Sequence, residues 1–483
     1  MAKIRLLGIP EDMIINRLKF ENPWWNTGRI EEEYKKMSRR LYFNLFFKLV
    51  NETDINRAVV LMGPRRVGKT VLMYHVIDEL LTELKVRENK ICFISIENPL
   101  FQNIGLDELF IRSMKTVGNE DPKGYFIFFD EIQYLPEWER HLKVLVDSYP
   151  HTKFIVSGSA AAALKLKSNE SGAGRFTEFM LPPLTFKEYI SMTGTERLIM
   201  ESSITWKGKS IPYYSTNNIH KLNELFVDYI NFGGYPEVIF KDHIKQNLSR
   251  YIKSDIIDKV LLRDLPSLYG IKNVQELNRF FTMLVFNTGN ELSLSALSQS
   301  SGLNKETISK YLIYLEAAFL IKLVNRIDDY GKKFERQNYS KIYLTNPSLR
   351  SALFSPLEME SNAIGHMVET AIFSQSLHRT ESLPFFYARW KDGEVDMVCL
   401  RKDRLIPDWA LEIKWSDKAF TDMKVLKNIL LFSKNNKLKD AVVTTRTEWG
   451  LKTMEGVNIN FIPCSVYAYN AGHATISYKA KSM

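Results

Sequence analysis

Residues 63–70 constrain the fold of this chain more than any other segment. They read Gly-Pro-Arg-Arg-Val-Gly-Lys-Thr and fit the pattern G-x-x-x-x-G-K-[ST] at every fixed position. An apolar run, Ala58–Met62, precedes them, and an amphipathic run, Val71–Leu84, follows. The order strand, glycine-rich loop and helix predicts that backbone N–H groups surround phosphates at the N-terminus of the helix. A chance glycine-rich turn is the alternative, and the flanking elements argue against it.

The loop residues therefore become candidates for holding a nucleotide, with ATP and Mg²⁺ as the predicted cofactors. Lys69 is expected to neutralise the β- and γ-phosphates, and the Thr70 hydroxyl is expected to coordinate Mg²⁺. The full set of predicted phosphate-loop residues is Gly63, Pro64, Arg65, Arg66, Val67, Gly68, Lys69 and Thr70.

A second apolar run ends in two carboxylates and supplies the other half of such a site. Tyr125–Asp130 is a continuous apolar run, as expected of a central parallel strand, and Glu131 follows it. Asp130 is predicted to hold Mg²⁺ through water, and Glu131 to polarise the attacking water. In the next apolar run, Ser157 is a candidate for sensing the γ-phosphate or positioning water. A role for Ser157 as a strand-end cap stays open.

Short apolar runs alternate with amphipathic helices through this part of the chain, which predicts an α/β fold with a mostly parallel sheet. The predicted strands are Ala58–Met62, Ile91–Glu97, Tyr125–Asp130, Lys153–Ser157 and Glu178–Leu181. Residues 193–218 are polar and rich in turn formers, so a surface insertion or linker is predicted there. A second α/β-like segment is expected near the end of the chain, with strands Phe385–Arg389, Glu394–Leu400, Trp409–Lys414 and Ala441–Thr444.

Several short motifs occur in a fixed order. They are the phosphate loop, Phe128-Phe-Asp-Glu-Ile-Gln-Tyr-Leu135, Ser157-Gly-Ser-Ala160, Gly174-Arg-Phe176 with Leu181-Pro-Pro-Leu-Thr-Phe186, and Phe232-Gly-Gly-Tyr-Pro-Glu237. Together they resemble the prokaryotic AAA-type (AAA+) P-loop ATPases that carry a C-terminal domain of uncharacterised function. The resemblance is collinear over roughly residues 40–480. It places Gln133 and Arg175 at recurring positions and implies that Arg175 is an arginine finger or sensor. A solvated loop arginine is the alternative.

The middle of the chain has a helix-turn-helix pattern over residues 289–315. Asn304 is the predicted N-cap of the second helix, with Ile308, Leu312 and Leu315 buried. Leu320–Arg326 and Lys341–Leu344 are the predicted strands of a wing. The outward residues, Lys305, Glu306, Ser309 and Lys310, are mixed in charge, so DNA reading by this helix and a packing role both stay open.

Three carboxylates and a lysine near the C-terminus resemble the PD-(D/E)xK nuclease signature. They are Glu369 on a predicted helix, Asp396 on a strand, and Glu412 and Lys414 in a Glu-x-Lys sequence. Glu412 and Lys414 share one strand face with Ile413 directed into the core. Asp396 and Glu412 are predicted to hold a hard cation, with Lys414 positioning water. No proline precedes Asp396, and a structural ion pair is the alternative.

Composition sets the remaining expectations. The chain has 483 residues, three cysteines and a net charge of 65 − 56 = +9. This length suggests about three domains. No disulfide framework, secretory signal or membrane span is expected, so a cytoplasmic protein with no membrane partner is predicted. The basic excess fits an anionic partner, DNA and RNA being candidates, and equally a mixed solvated surface. A homo-oligomer is a further candidate.

The fold class predicted from these patterns is α/β. A P-loop NTPase parallel sheet comes first, then a helical and winged-helix segment, then a smaller nuclease-like α/β domain. The predicted domains are residues 1–50 (arm and helix), 51–190 (AAA-type ATPase), 191–285 (insertion and helical lid-like region), 286–350 (winged-helix-like) and 351–483 (nuclease-like). The predicted function is Mg-dependent ATP binding and hydrolysis that drives conformational change, coupled to nucleic-acid binding or cleavage. The alternative is a nucleotide-gated DNA-binding or scaffold protein with an inactive nuclease-like domain.

Overall fold

The computed structural model describes residues 10–159, 174–334, 339–377, 385–401 and 403–482. Ala160 of the predicted motif and residues 335–338 of the predicted wing lie outside these ranges. The chain divides into two compact units, Met1–Leu181 and Pro182–Met483. None of the helices in the described ranges is long and apolar enough to span a membrane.

The first unit is built on a five-stranded, wholly parallel sheet with the strand order β2-β3-β4-β1-β5. Its strands are β1 (Ala58–Met62), β2 (Ile91–Ser95), β3 (Phe126–Asp130), β4 (Lys153–Gly158) and β5 (Phe176–Met180). Its α-helices are Glu11–Glu21, Trp24–Thr27, Glu32–Lys36, Phe43–Asn51, Lys69–Thr82, Leu106–Thr116 and Trp138–Ser148. Every residue of β1, β3 and β4 is buried, which explains the apolar runs that form most of each strand. All five predicted strands are present.

The segment before β1 lies along the edge strand β2. The side-chain amide of Asn22 donates to the carbonyl of Phe93 (2.8 Å), and its oxygen accepts from the Phe93 N–H (2.6 Å). Trp24 and Trp25 both donate their indole N–H groups to the carbonyl of Ile91, at 3.1 and 2.8 Å. Side chains thus satisfy backbone groups of an edge strand that would otherwise be open to another chain. Nothing in the sequence predicted this role.

The second unit contains a nine-stranded mixed sheet and a separate two-stranded hairpin, with the large sheet ordered β15-β16-β14-β13-β12-β11-β9-β10-β8. The hairpin strands are β6 (Ile199–Trp206) and β7 (Lys209–Thr216). The sheet strands are β8 (Glu291–Ser293), β9 (Ile321–Ile327), β10 (Tyr339–Leu344), β11 (Phe385–Trp390), β12 (Gly393–Leu400), β13 (Pro407–Glu412), β14 (Asp440–Thr445), β15 (Gly450–Met454) and β16 (Val457–Pro463).

Helices surround this sheet. The α-helices of the second unit are Phe186–Met192, Ile219–Phe232, Pro236–Phe240, Asp242–Gln246, Leu265–Tyr269, Val274–Phe286, Leu294–Ser301, Lys305–Ala317, Ser348–Leu353, Ile364–Ser374, Lys418–Thr421, Lys427–Asn435 and Cys464–Ser482. Two stretches of π-helix, Ser249–Asp258 and Val260–Asp264, lie between them.

The region predicted as an insertion or linker, residues 193–218, is a β-hairpin and not a linker. Lys207 (φ 49°) and Gly208 (φ 73°) form the two-residue connection, and both have the positive φ of a type I′ turn. Ile204 and Tyr214 pack against the apolar core of the second unit. The residues of both hairpin strands are half-buried or exposed, and many are polar, so no clear strand pattern is visible in the sequence.

The predicted helix-turn-helix appears as the helices Leu294–Ser301 and Lys305–Ala317. Asn304 caps the second helix as predicted, since its side chain accepts from the Thr307 N–H at 2.8 Å. The wing strands β9 and β10 pair with each other, but β9 also pairs in parallel with β11. The sheet therefore runs without interruption across residue 350, where a domain boundary was predicted. The predicted domain boundaries stay predictions.

Candidate nucleotide-binding site and C-terminal carboxylate cluster

The phosphate loop connects the end of β1 to the helix Lys69–Thr82. A Cβ atom on Gly63 would stand 2.2 Å from the carbonyl oxygen of Leu181, so only glycine fits where the loop begins. Gly68, just before the helix, has φ 91°, a conformation that side chains with a Cβ rarely adopt. The two fixed glycines of the motif thus meet two different demands, a close backbone approach and a left-handed turn.

Lys69 lies over this loop with its side chain buried. Its ammonium donates to the carbonyls of Gly63 (3.1 Å) and Pro64 (2.9 Å). Arg40, from the segment preceding β1, is also buried and donates to the carbonyl of Val67 at 2.6 Å. Arg40 therefore holds the loop from outside the motif. Arg40 was not predicted, because it lies far from the motif in the sequence and belongs to no pattern of its own.

Thr70 and Ser157 converge on the carboxylate of Asp130. The Thr70 hydroxyl donates to one carboxylate oxygen of Asp130 at 2.8 Å, and the Ser157 hydroxyl donates to the other. Burial and the neighbouring charge of Glu131 raise the pKa of Asp130 to about 6, although hydrogen bonds from Ser157 and Thr70 favour its ionised form. A hydroxyl and a buried carboxylate in contact, beside the Lys69 ammonium, fit Mg²⁺ carried by nucleotide phosphates.

Glu131 follows β3 in a left-handed conformation, with φ 55°. Its backbone N–H donates to the Ser157 hydroxyl at 3.1 Å, and its carboxylate accepts from the side-chain amide of Gln133. The amide oxygen of Gln133 accepts from the Ser159 N–H at 3.1 Å. The ends of β3 and β4 are therefore joined through Gln133, which fixes the direction of the Glu131 side chain. Such backbone conformations cost about 1–3 kcal/mol and cluster at functional sites.

The structure does not bring Arg175 to this site. Arg175 precedes β5, and its carbonyl accepts from the N–H of Ala58, the first residue of β1. The phosphate loop follows the opposite end of β1, about 15 Å away at the usual rise of a parallel strand. The Arg175 guanidinium pairs with Asp147 at 2.8 Å. Arg175 therefore lies away from the candidate nucleotide site of its own chain, and its role as an arginine finger or sensor stays a prediction.

The second unit brings together the four predicted C-terminal residues. Lys414 lies 2.6 Å from Glu412 and 3.6 Å from Asp396, and Asp396 also accepts from the Ile413 N–H at 2.7 Å. Glu369, from the helix Ile364–Ser374, joins the same cluster.

The contact that connects Glu369 to the other carboxylates of the cluster was not predicted. The ammonium of Lys341, on β10, lies 2.8 Å from Glu369, 2.5 Å from Glu394 and 3.6 Å from Asp396. Only 4% of the Lys341 side chain is exposed. Sequence reasoning missed Lys341 because it precedes the signature and comes from a predicted wing strand.

The carboxylates of the cluster differ in pKa, because burial and the two lysines act in opposite directions. Burial raises the pKa of Glu369 to about 7 and that of Glu412 to about 8. Burial would raise the pKa of Asp396 as well, but Lys414 and Lys341 flank it, and their charges hold it below its ordinary value. Asp396 is thus the carboxylate that the lysines keep ionised.

This cluster does not fit a divalent ion as it stands. Within the described ranges, no three His, Cys, Asp or Glu side chains are arranged to hold a metal. Instead the Lys341 ammonium occupies the space between three carboxylates. One oxygen of Glu412, Oε2, is buried without a hydrogen-bond partner.

The outward face of the helix Lys305–Ala317 is not uniformly basic. Lys310 pairs with Glu306 at 2.7 Å, which offsets its charge. Ile313, on an adjacent part of the surface, is 59% exposed. The mixed charge expected from the sequence is present.

Comparison with known families assigns the first site. Residues 55–190 match the family model described as AAA domain, and residues 223–361 match a domain of unknown function, DUF8612. The candidate nucleotide site thus lies in the segment that matches the AAA domain. The five-stranded parallel sheet with the phosphate loop after β1 is the α/β architecture of P-loop NTPases.

Relatives extend over most of the chain. The uncharacterized protein MJ1544 of Methanocaldococcus jannaschii is 25% identical over 438 residues, covering 87% of this chain and 90% of that protein. An uncharacterized protein of Haemophilus influenzae is 24% identical over 368 residues, covering 75% and 84%. Among solved structures, the Aeropyrum pernix ORC2 protein in ADPNP–ADP complexes has a TM-score of 0.36 and 10% identity, covering 60% of this chain and 88% of that chain.

The AAA match includes the loop, Asp130, Glu131, Gln133 and Ser157, but it begins after Arg40. Lys341 falls in the DUF8612 match, whereas Glu369, Asp396 and Glu412 lie beyond it. In each site, one contact therefore comes from outside the segment that carries most of its residues.

Proposed function

We propose that the AAA domain binds ATP with Mg²⁺ and hydrolyses it to ADP and phosphate, driving a conformational cycle. The observation that carries the proposal is the contact of Thr70 and Ser157 with Asp130, beside Lys69 and Glu131. Phosphoryl transfer depends on positioning and on stabilising negative charge, and this site offers groups for both.

Each residue has a separate part in the proposal. The loop N–H groups and Lys69 bind the phosphates, and Thr70 and Asp130 hold Mg²⁺. When bound, the ion neutralises charge on the β- and γ-phosphate oxygens. Glu131, directed by Gln133, orients the attacking water and accepts its proton. Ser157 hydrogen-bonds with both the Asp130 carboxylate and the Glu131 backbone N–H, and so fixes their positions at the ends of β3 and β4.

Two variants test this assignment. Lys69→Ala should abolish binding of ATP, and Glu131→Gln should retain binding but trap ATP unhydrolysed. Lys115→Ala and Glu120→Gln, both at exposed positions of the first unit, are the matched controls. Binding is measured by calorimetry with Mg²⁺ and turnover by phosphate release. Unchanged turnover in the purified Glu131→Gln protein would refute the catalytic assignment.

A second proposal concerns the C-terminal cluster, where the sequence suggested either a nuclease or an inactive relative of one. The Lys341 ammonium among the carboxylates favours a nuclease-like fold without metal-dependent cleavage. The chain would then be a nucleotide-gated scaffold or DNA-binding regulator. The test is divalent-dependent cleavage of plasmid and of single-stranded DNA and RNA, with and without ATP, by the wild type and Asp396→Ala. Cleavage that is lost in the variant would establish the nuclease instead.

A further inference from the structure

Lys341 is the most deeply enclosed cation of the C-terminal cluster. Its ammonium contacts Glu369 and Glu394 directly and lies 3.6 Å from Asp396. The Tyr387 ring centroid is 5.6 Å away. Lys414, by comparison, has a side chain that is 35% exposed and reaches Asp396 and Glu412 from the other side. The two oxygens of Asp396 therefore face two different ammonium groups.

The charges of the cluster explain why Lys341 is held there. Without Lys341, Asp396 would keep Lys414 and Glu394 would keep Arg389 as a partner. The buried carboxylate of Glu369 would keep the hydrogen bond from the Tyr343 hydroxyl but would lose its contact with an ammonium group. Buried carboxylates without a compensating charge are costly, and the cost is met by a cation or by protons. Lys341 supplies a cation from the chain itself.

A divalent ion needs the same space. Ca²⁺ and Mg²⁺ bind carboxylate oxygens at about 2.0–2.6 Å, with several oxygens converging on one point. Here the point of convergence of Glu369, Glu394 and Asp396 is the Nζ atom of Lys341. Metal and ammonium cannot both occupy it.

We propose that Lys341 is the resident cation of this cluster and that its ammonium closes the cluster to divalent metal. The closing residue comes from β10, a strand next to the helix-turn-helix, so metal access and the position of β10 are linked. This inference deepens the proposal of an inactive nuclease-like domain and rests on it. It is independent of ATP hydrolysis, since none of its residues lies in the AAA domain.

The test uses the full chain with Lys69→Ala and no nucleotide, so that the phosphate loop contributes no metal binding. Mn²⁺ binding is measured by calorimetry and by electron paramagnetic resonance. The Lys69→Ala parent should bind no Mn²⁺ at the cluster. Adding Lys341→Met, which keeps the length and removes the charge, should create one site at least about 10-fold tighter than any in the parent. Adding Asp396→Asn to that variant should remove the site.

Two controls separate this outcome from a general loss of charge. Lys341→Arg retains a cation and should create no site. Lys322→Met is the second control. Lys322 lies on the neighbouring strand β9 and pairs with Glu316 of the helix Lys305–Ala317, and its replacement should create no site either. If Lys341→Met unfolds without metal, millimolar Mn²⁺ should restore its circular dichroism spectrum, and failure to do so overturns the proposal. A folded Lys341→Met chain that takes up no Mn²⁺ overturns it as well.

The proposal can also be tested on the Lys69→Ala parent alone, without any substitution of Lys341. Mn²⁺ bound by the Lys69→Ala parent and lost on Asp396→Asn would overturn the proposal and support a metal-dependent nuclease. A failure of the ATPase assignment would appear elsewhere, in the turnover of Glu131→Gln, so the two proposals fail separately.

Discussion

The side-chain amide of Gln133 donates a hydrogen bond to the carboxylate of Glu131. The other end of the same amide accepts from the backbone of Ser159, at the end of the neighbouring strand. An amide can bridge in this way because it carries a donor and an acceptor on one planar group. The direction of the proposed base is therefore set by a residue that need not touch the substrate.

Replacing Gln133 by leucine should lower kcat for ATP hydrolysis by about 10-fold or more while leaving KM nearly unchanged, because misplaced catalytic groups cost rate more than binding. Steady-state phosphate release measures both constants. Gln299→Leu, at an exposed helical position, is the control and should change neither. A Gln133→Leu protein with wild-type kcat would remove Gln133 from the mechanism.

Ser157→Ala should shift the pH dependence of ATP hydrolysis. The proposed role of Asp130 requires its ionised form, and its pKa in the protein is about 6. Activity should therefore fall as the pH drops through about 6. The Ser157 hydroxyl stabilises the ionised form, so its removal should raise the pKa of Asp130 and start the loss at higher pH. The acid limb of kcat/KM measures this shift, since it reports groups of the free enzyme. An unmoved or lowered limb would contradict the assignment.

Gly63→Ala should destabilise the first unit and weaken ATP binding. Its Cβ would overlap a backbone carbonyl, that of Leu181, which cannot rotate away as a side chain can. Overpacking of this kind costs about 1–3 kcal/mol. Gly365→Ala is the control, because its Cβ meets no atom within 4 Å and its helical site favours alanine. Thermal unfolding and nucleotide binding are the two measurements. Equal melting temperatures for the two variants would count against the close approach.

Asn22→Leu should destabilise the first unit through its edge strand. It leaves the backbone N–H and carbonyl of Phe93 without their side-chain partner. Each buried polar group left unpaired costs about 1–3 kcal/mol. Asn26→Leu, four residues on and exposed, is the control. Denaturant unfolding measures the difference. If the two variants unfold alike, the hydrogen bonds of Asn22 do not protect the strand.

The arrangement of the residues at the candidate nucleotide site was largely predictable because its signals are local. The phosphate loop and the apolar run to Asp130 each specify their own conformation, and parallel strands then bring their carboxyl ends to one edge of the sheet. The position of Arg175 at the far end of β1 could not be predicted, because a motif does not indicate the end of the sheet at which a residue lies. Arg40 was missed because its contact with Val67 joins distant parts of the chain.

The C-terminal cluster shows a different limit. Its four predicted residues do meet, because one helix, the strand β12 and the strand β13 with the residues that follow it carry them in a recurring pattern. The charge that decides what the cluster can bind comes from Lys341, and only the pairing of β9 with β11 brings β10 within reach. The hairpin of β6 and β7 was missed for a simpler reason, since half-buried strands have too few apolar residues to stand out.

The parallel pairing of β9 with β11 also affects how the chain responds to proteases. Cleavage in the exposed stretch near Ser355 would cut the polypeptide between the helix-turn-helix and the carboxylate cluster. The two pieces would stay together, because the ladder between these strands and the ion pairs of Lys341 do not depend on that peptide bond. Fragments that co-elute after digestion would therefore mark one cooperative body, and neither piece should be taken for a domain that folds alone.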